Sequence, residues 1–249
     1  ETVTQDITIF PAGPARAGAL RLAVWDPVGQ TAAALATLGV ETVSVTNLVQ
    51  LPSGLPLVVG EAAWTEKNVD DTVVPLFEFV RQGGSLLVMH QTVWPKWSPV
   101  GVRLDAQNVS SRIWKRAPRS PIFDGIADAW LRDWQPAHIV SSHDFVKPIR
   151  GNAVALADSG VQDGLERACL LEMPYGQGRI VGCQLRLVEA LAVEPAASRL
   201  LANLLGYAAR PAGRRKPAAV CADTSSPLIN MFDMMGVEYV PLPRPLAAA

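Results

Sequence analysis

Between residues 20 and 90 the apolar positions come as short solid runs, divided by stretches with helical spacing. Residues 20–25 are an apolar run that Asp26-Pro27 ends. Residues 40–45 are β-branched and alternating, and residues 55–60 are again solidly apolar. Such runs predict strands, and the unbroken ones predict strands buried on both faces. Residues 31–38 have the alanine and leucine content of a helix, and Gly39 follows as its stop. A second helix is marked by Asp70 and Asp71, which supply capping oxygens and negative charge, with Pro75 placed near its first turn. Val73, Phe77 and Val80 share one face of that helix, Gly83-Gly84 stops it, and residues 85–89 read as a central strand. Strands alternating with helices at this rhythm predict an α/β fold: a doubly wound, mostly parallel sheet in a flavodoxin-like three-layer sandwich.

The rhythm breaks at residues 91–135, an irregular segment holding five of the seven tryptophans: Trp94, Trp97, Trp114, Trp130 and Trp134. Strands are expected again at 138–140 and 153–157. A late β-hairpin follows, with arms at 168–173 and 179–187 around Tyr175-Gly176-Gln177-Gly178. A closing helix starts at Pro195 and buries Leu200, Leu201, Leu204, Leu205 and Ala208. Prolines and glycines make residues 1–18 an extended segment, residues 19–209 the α/β domain, and residues 210–217 a basic linker. Residues 218–249 then repeat residues 23–45 in outline, with Gly236-Val237-Glu238 standing where Gly39-Val40-Glu41 stood. The tail therefore reads as a partial βαβ repeat, either starting a second similar domain or docking on a neighbour. Its helix, at 227–236, is so apolar that it should be covered on most sides.

Composition narrows the function classes. With 22 basic and 23 acidic side chains and 18% charged residues, the chain lacks the electrostatic footprint of a nucleic-acid binder. No apolar stretch approaches the length of a membrane span. Three cysteines without CxxC spacing (Cys169, Cys183 and Cys221) read as small buried apolar residues, and no cofactor is implied. The first residue is Glu1, with no leader pattern after it, which reads as a processed product or an excised piece.

In a doubly wound sheet, chemistry collects where the parallel strands end. Here those positions hold Asp26, Glu61, His90 with Gln91, and the stretch from Gln184 to Glu189. "VRQGGSLLVMHQ" at 80–91 resembles the helix, Gly-Gly, strand and elbow of class I glutamine-amidotransferase-like domains. "SPIFDGI" at 120–126 and "YGQGRIVGCQLRLVE" at 175–189 extend the likeness to trehalose-utilisation (ThuA-like) chains and to the middle domain of some β-galactosidases. The resemblance covers about residues 20 to 209. It implies an elbow cysteine activated by a histidine that a glutamate orients. Here His90 stands at the elbow, Arg186 at the histidine position and Val188 at the glutamate position, with Glu189 one residue on. A guanidinium stays protonated and cannot take a thiol proton, so glutamine hydrolysis is excluded on that alignment.

The resemblance implies a non-catalytic accessory module of a carbohydrate-active, glycoside-hydrolase-like protein, serving packing, oligomer contact or glycan contact. Its partners would be other domains of a parent chain, a carbohydrate or a second copy, and its location extracytoplasmic if the parent is a glycoside hydrolase. The alternative is a ThuA-like sugar-processing enzyme using His90, Gln91 and Arg186, with Glu61 and Glu189 as further candidates. A ligand-free scaffold is the third class. For ligand contact the candidates are Trp94 and Trp97, expected to be exposed, with His143 and Asp144. Trp114 and Trp134 read as core cover beside Trp94. On an extended strand, His138 and His143 would face opposite ways, so no metal site is expected.

Overall fold

The computed structural model describes residues 10, 15–96, 101–148, 152–161, 164–211, 218–223, 225–234, 237 and 239–242. The first half follows the alternation in the sequence: β1 (Arg21–Trp25), α1 (Gln30–Thr37), β2 (Glu41–Ser44), β3 (Leu57–Val59), α2 (Val69–Arg81) and β4 (Ser85–Val88). The tryptophan-rich segment contributes three short strands, β5 (Arg103–Leu104), β6 (Val109–Ser110) and β7 (Ile113–Lys115), and two 3-10 turns, Pro121–Phe123 and Asp128–Trp130. After it come β8 (Ser141–Ser142), β9 (Phe145–Val146), β10 (Val154–Val161), β11 (Gly164–Tyr175) and β12 (Gly178–Cys183). The short α3 (Leu187–Ala190) and the long α4 (Pro195–Ala208) follow. The tail holds β13 (Ala218–Val220), α5 (Pro227–Met234) and β14 (Tyr239–Pro241).

The main sheet runs β2-β1-β3-β4-β12-β11-β10-β7, parallel from β2 through β12 and antiparallel beyond. Period-two alternation sends successive side chains to opposite faces. Leu22, Val24, Val58, Leu87 and Val181 therefore meet α1, α3 and α4 on one side. Ala23, Leu57, Val59, Leu86, Val88 and Ile180 meet Val73, Leu76, Phe77 and Val80 of α2 on the other. These two cores with a sheet between them are the three layers of a flavodoxin-like sandwich.

Several local expectations are corrected. α2 begins at Val69 rather than at the aspartates, so Pro75 lies inside it. The Asp71 carbonyl, which loses its i+4 partner there, belongs to an exposed residue on the solvent side of the helix. Residues 138–140 form no strand: His138 has φ 59 and His143 φ 55, and two left-handed residues break an extended run. Residues 91–135 are more than an insertion, because β7 is the edge strand of the main sheet. In the late hairpin the turn is Gly176-Gln177, and a Cβ on Gly178 would lie 2.2 Å from the Gly84 carbonyl oxygen, so the hairpin is seated on the end of α2.

Of the 1–18 segment, Ala15 donates its N–H to Ser198 Oγ at 2.7 Å and Ala17 to the Leu38 carbonyl at 3.3 Å. Residues 212–217 of the basic stretch lie outside the described residues. β13 and β14 pair in parallel as β1 and β2 do, in a sheet of their own. Ile229 is buried, but Leu228, Met231 and Met234 are 40%, 45% and 65% exposed, so α5 is covered on one side only. Val220 and Ile229 belong to neither core of the main sheet. Deleting residues 218–249 is therefore expected to leave a single cooperative urea transition with its midpoint little changed. Loss of cooperative unfolding would make the tail an integral part of the main core.

Candidate functional site

A parallel sheet delivers the carboxyl ends of its strands to one edge. Beyond β1, β3, β4 and β12 stand Asp26, Glu61, His90 with Gln91, and Gln184. The first two are packed into the fold. Asp26 Oδ2 accepts the Ala32 N–H at 2.8 Å, and a side chain on Gly60 would collide with the Asp26 carboxylate at 2.5 Å. The Glu61 N–H donates to Thr31 Oγ1 at 2.8 Å, and Glu61 Oε1 accepts the Val188 N–H at 3.3 Å.

Gln91 and Gln184 hold the corner together. The Gln91 N–H donates to Gln184 Oε1 at 2.8 Å, and Gln184 Nε2 donates back to the Gln91 carbonyl at 2.9 Å. Gln184 Nε2 spends its other hydrogen on the His143 carbonyl at 2.6 Å. The Gln91 side chain accepts from the Trp64 N–H at 2.9 Å and donates to the Gly60 and Met89 carbonyls at 2.6 and 3.0 Å. An amide carries two donor hydrogens, so both side chains have spent theirs on the backbone. Both are fully buried. Gln91, a catalytic candidate from the sequence, has both amide hydrogens on backbone carbonyls.

Ser142, which the sequence reading did not single out, is where the remaining candidates meet. His90 Nε2 lies 2.9 Å from Ser142 Oγ, Arg186 Nη1 donates to the same oxygen at 3.3 Å, and His143 Nδ1 stands 3.4 Å away. The two imidazoles stack edge to face with centroids 5.6 Å apart. Arg186 turns its other nitrogens onto Glu189 Oε2 in a half-exposed ion pair. The only legible trace of this hub was the polar run Ser141-Ser142-His143-Asp144 between apolar neighbours.

The corner is closed: Glu61, His90 and Ser142 are 8%, 5% and 4% exposed. Burial pushes the Glu61 carboxyl up to about 7, against the Val188 N–H bond and the Arg186 charge. Burial, reinforced by Arg186 and His143, pulls the His90 imidazole down to about 3, so it is neutral at any working pH. The thiols lie elsewhere: Cys169 and Cys183 are encased in the core, where burial drives Cys183 up to about 12 and Cys169 well above its usual range, and Cys221, read as buried from the sequence, is exposed after β13. Residues 91–96 form no helix after the elbow, since Trp94 precedes Pro95 and is biased away from helical backbone. The elbow therefore lacks both a thiol and the helix N-terminus that would stabilise an anion.

The ligand candidates are redistributed. Asp144 is fully buried, accepting from Asn108 Nδ2 at 2.6 Å and Ser141 Oγ at 2.9 Å, and burial pushes it up to about 6. Both bonds are made by Oδ2 and tie the carboxylate to Asn108 and to the loop that carries Ser142. Trp94, expected to be exposed, is half-buried, edge-on against Trp64 at 5.2 Å and Phe145 at 5.0 Å. Trp97 lies outside the described residues. Trp134 is core, but Trp114, read as core cover, is 38% exposed. Among the described residues, no three His, Cys, Asp or Glu side chains are grouped to hold a metal ion.

No protein-family model matches this chain, and no curated protein matches it in sequence. Among solved structures, a protein described as a GMP synthase subunit from Thermoplasma acidophilum is similar over 77% of this chain and 94% of its own, with a TM-score of 0.52 and 15% identity. This chain shares its fold with that protein. A ThuA-like protein from Parabacteroides merdae is similar over 80% of this chain and 93% of its own, at TM-score 0.43 and 14% identity. A β-galactosidase from Rahnella sp. R3 is similar over 75% of this chain at TM-score 0.44 and 14% identity, and the match spans 30% of that protein's length. At 15% identity the Thermoplasma protein shows a shared fold alone, and the chemistry is read from the side chains.

Glu61 gives the corner a pH signature. Its folded pKa lies above the ordinary 4.5, so the folded state binds more protons than the unfolded state between about pH 4.5 and 7, and this stabilisation is lost as pH rises through that window. His90 acts oppositely, its depressed pKa favouring the folded state as pH rises from about 3 to 6.5. Glu61→Gln removes the first effect alone. Its unfolding free energy, relative to the parent, is expected to rise by about 3 kcal/mol from pH 4.5 to 7.5. Urea titrations of both proteins across that range measure it, and a pH-independent difference contradicts the assignment.

Proposed function

We propose that this chain is a non-catalytic amidotransferase-like module of a carbohydrate-active, glycoside-hydrolase-like protein, serving domain packing, oligomer contact or glycan contact. One observation carries the non-catalytic part: the elbow is filled by side chains already bonded to one another and to the backbone. Gln91 and Gln184 have no amide hydrogen left for a substrate, His90 is spent on Ser142, and Arg186 stands where a base would be needed. The carbohydrate link rests on the resemblance of residues 80–91, 120–126 and 175–189 to ThuA-like and β-galactosidase segments.

The tail supports a modular parent. β13, α5 and β14 repeat the order of β1, α1 and β2. Counting from each helix start, the buried Thr31 and Ala34 of α1 correspond to Leu228 and Met231 of α5, which are exposed. We read this unit as the beginning of a second similar domain, or as a docking element for a neighbour.

A second reading, a sugar-processing enzyme, draws on the Ser142–His90 pair. A hydroxyl 2.9 Å from a neutral imidazole has the spacing of a nucleophile and its base. The purified chain is expected to release no ammonia from glutamine above the blank, and His90→Ala is expected to change nothing. Ammonia release that disappears in His90→Ala overturns the non-catalytic reading. Turnover of a sugar substrate that disappears in both His90→Ala and Ser142→Ala establishes the second.

A further inference from the structure

A groove of about 390 Å³ opens along β6, the strand that pairs with β8 and so lies next to the loop carrying Ser142. β6, β7 and the end of β10 form it, and its lining includes Gln107, Asn108, Ser110, Arg112, Trp114 and Gly160. Trp114 sits on the edge strand opposite Asp158, and its ring lies on the bare backbone of β10: a Cβ on Gly160 would come within 3.2 Å of the indole. The glycine thus makes room for a large flat side chain to lie across the strand and remain 38% exposed. A tryptophan left in the open on an edge strand is an aromatic platform with one end apolar and the other wet.

The polar groups around it are held in place. Asn108 and Ser110 are only 8% and 5% exposed, yet they line the groove. Asn108 Nδ2 is fixed by the buried Asp144 carboxylate at 2.6 Å, which leaves the amide oxygen as its acceptor. Ser110 Oγ donates to the Gly160 carbonyl at 3.2 Å and accepts from Asn108 Nδ2 at 3.5 Å, which leaves it one lone pair. The Arg112 guanidinium lies 5.4 Å from the Trp114 ring centroid and has no carboxylate partner among the described residues. Arg132 pairs with Arg112 across an isolated β-bridge, and Asp133, whose N–H is bonded to the Ser111 carbonyl at 2.7 Å, makes no ion pair with Arg112.

From this arrangement we infer that the groove binds an acidic saccharide, with an apolar sugar face on Trp114, its carboxylate on Arg112 and its hydroxyls on Asn108, Ser110 and Gln107. A flat indole suits the C–H face of a pyranose, and a planar guanidinium suits a carboxylate. Fixed amide and hydroxyl groups suit a ligand rich in hydroxyls. Arg112 is the one basic residue in the groove's lining, and one guanidinium among neutral polar groups does not make the cationic track that a phosphate backbone needs. The inference deepens the glycan contact proposed above and rests on that reading for its ligand class.

The test titrates the full chain with a trimer of galacturonic acid, with the neutral galactose trimer and a short single-stranded oligonucleotide as comparisons. Indole N–H shifts and tryptophan fluorescence report binding, and thermal unfolding shows whether the variants are folded. The uronate trimer is expected to bind at least about tenfold more tightly than the neutral one. Trp114→Ala should weaken it at least about tenfold, and Trp114→Phe, which keeps a smaller aromatic face, should weaken it less. Arg112→Gln should bring the uronate down to the level of the neutral trimer. Absence of uronate binding, equal binding of the two trimers, tighter binding of the oligonucleotide, or an unchanged affinity in folded Trp114→Ala overturns the inference. Reducing ends released from the trimer and lost in His90→Ala overturn the non-catalytic reading instead, because His90 takes no part in the groove.

Discussion

The reciprocal amide pair between Gln91 and Gln184 is the constraint on which the corner depends. Two adjacent parallel strands, β4 and β12, both run out of sheet partners at the same edge, and their last backbone groups would be buried and unpaired there. Gln184 closes both open groups of Gln91 and then reaches the His143 carbonyl, while Gln91 closes those of Gly60, Met89 and Trp64. Two side chains thereby tie three strand ends to the loop that carries Ser142. His143 is held at φ 55 with both backbone groups bonded, to Gln184 and to Asn108, and Ser142 is delivered to within reach of His90 and Arg186. Unpaired, each of those buried groups would cost about 1–3 kcal/mol.

The same lock accounts for the electrostatics. Because the loop is drawn tight, Glu61 and His90 lie in a nearly dry corner beside one guanidinium, and both titrate in the direction that makes them neutral. The guanidinium remains satisfied by facing outward onto Glu189. A corner of neutral, mutually bonded groups is suited to stability. An amidotransferase elbow requires the reverse: an unpaired nucleophile, a free base and a helix N-terminus left open to a developing anion. The fold supports either arrangement, so the fold by itself does not assign the chemistry.

Much of the architecture was legible because it is periodic. The solid runs of β1, β3 and β4, the helical face of α2, the Gly176-Gln177 turn and the leucine stripe of α4 all follow from local patterns of burial. The element edges were less so: Pro75 was read as a start signal, yet α2 runs through it because the lost bond faces solvent. At the site, the sequence placed His90, Arg186 and Glu61 at one sheet edge but could not pair them. Their meeting point is Ser142, supplied from a loop by a contact spanning 52 residues, and no local rule predicts that. Trp94 and Trp114 exchanged roles for a similar reason. Their exposure is set by Phe145 and by the absence of a side chain on Gly160, neither of which is near them in the chain.

Replacing Gln184 with methionine, which keeps the length of the side chain and removes its hydrogen bonds, tests the lock most directly. The change strands the Gln91 N–H and the Gln91 and His143 carbonyls in a buried corner. The unfolding free energy measured in urea at neutral pH is expected to fall by about 3–5 kcal/mol, with the transition still cooperative. A Gln184→Met protein as stable as the parent, within about 0.5 kcal/mol, would contradict the account, since the corner would then be held by something other than this amide pair.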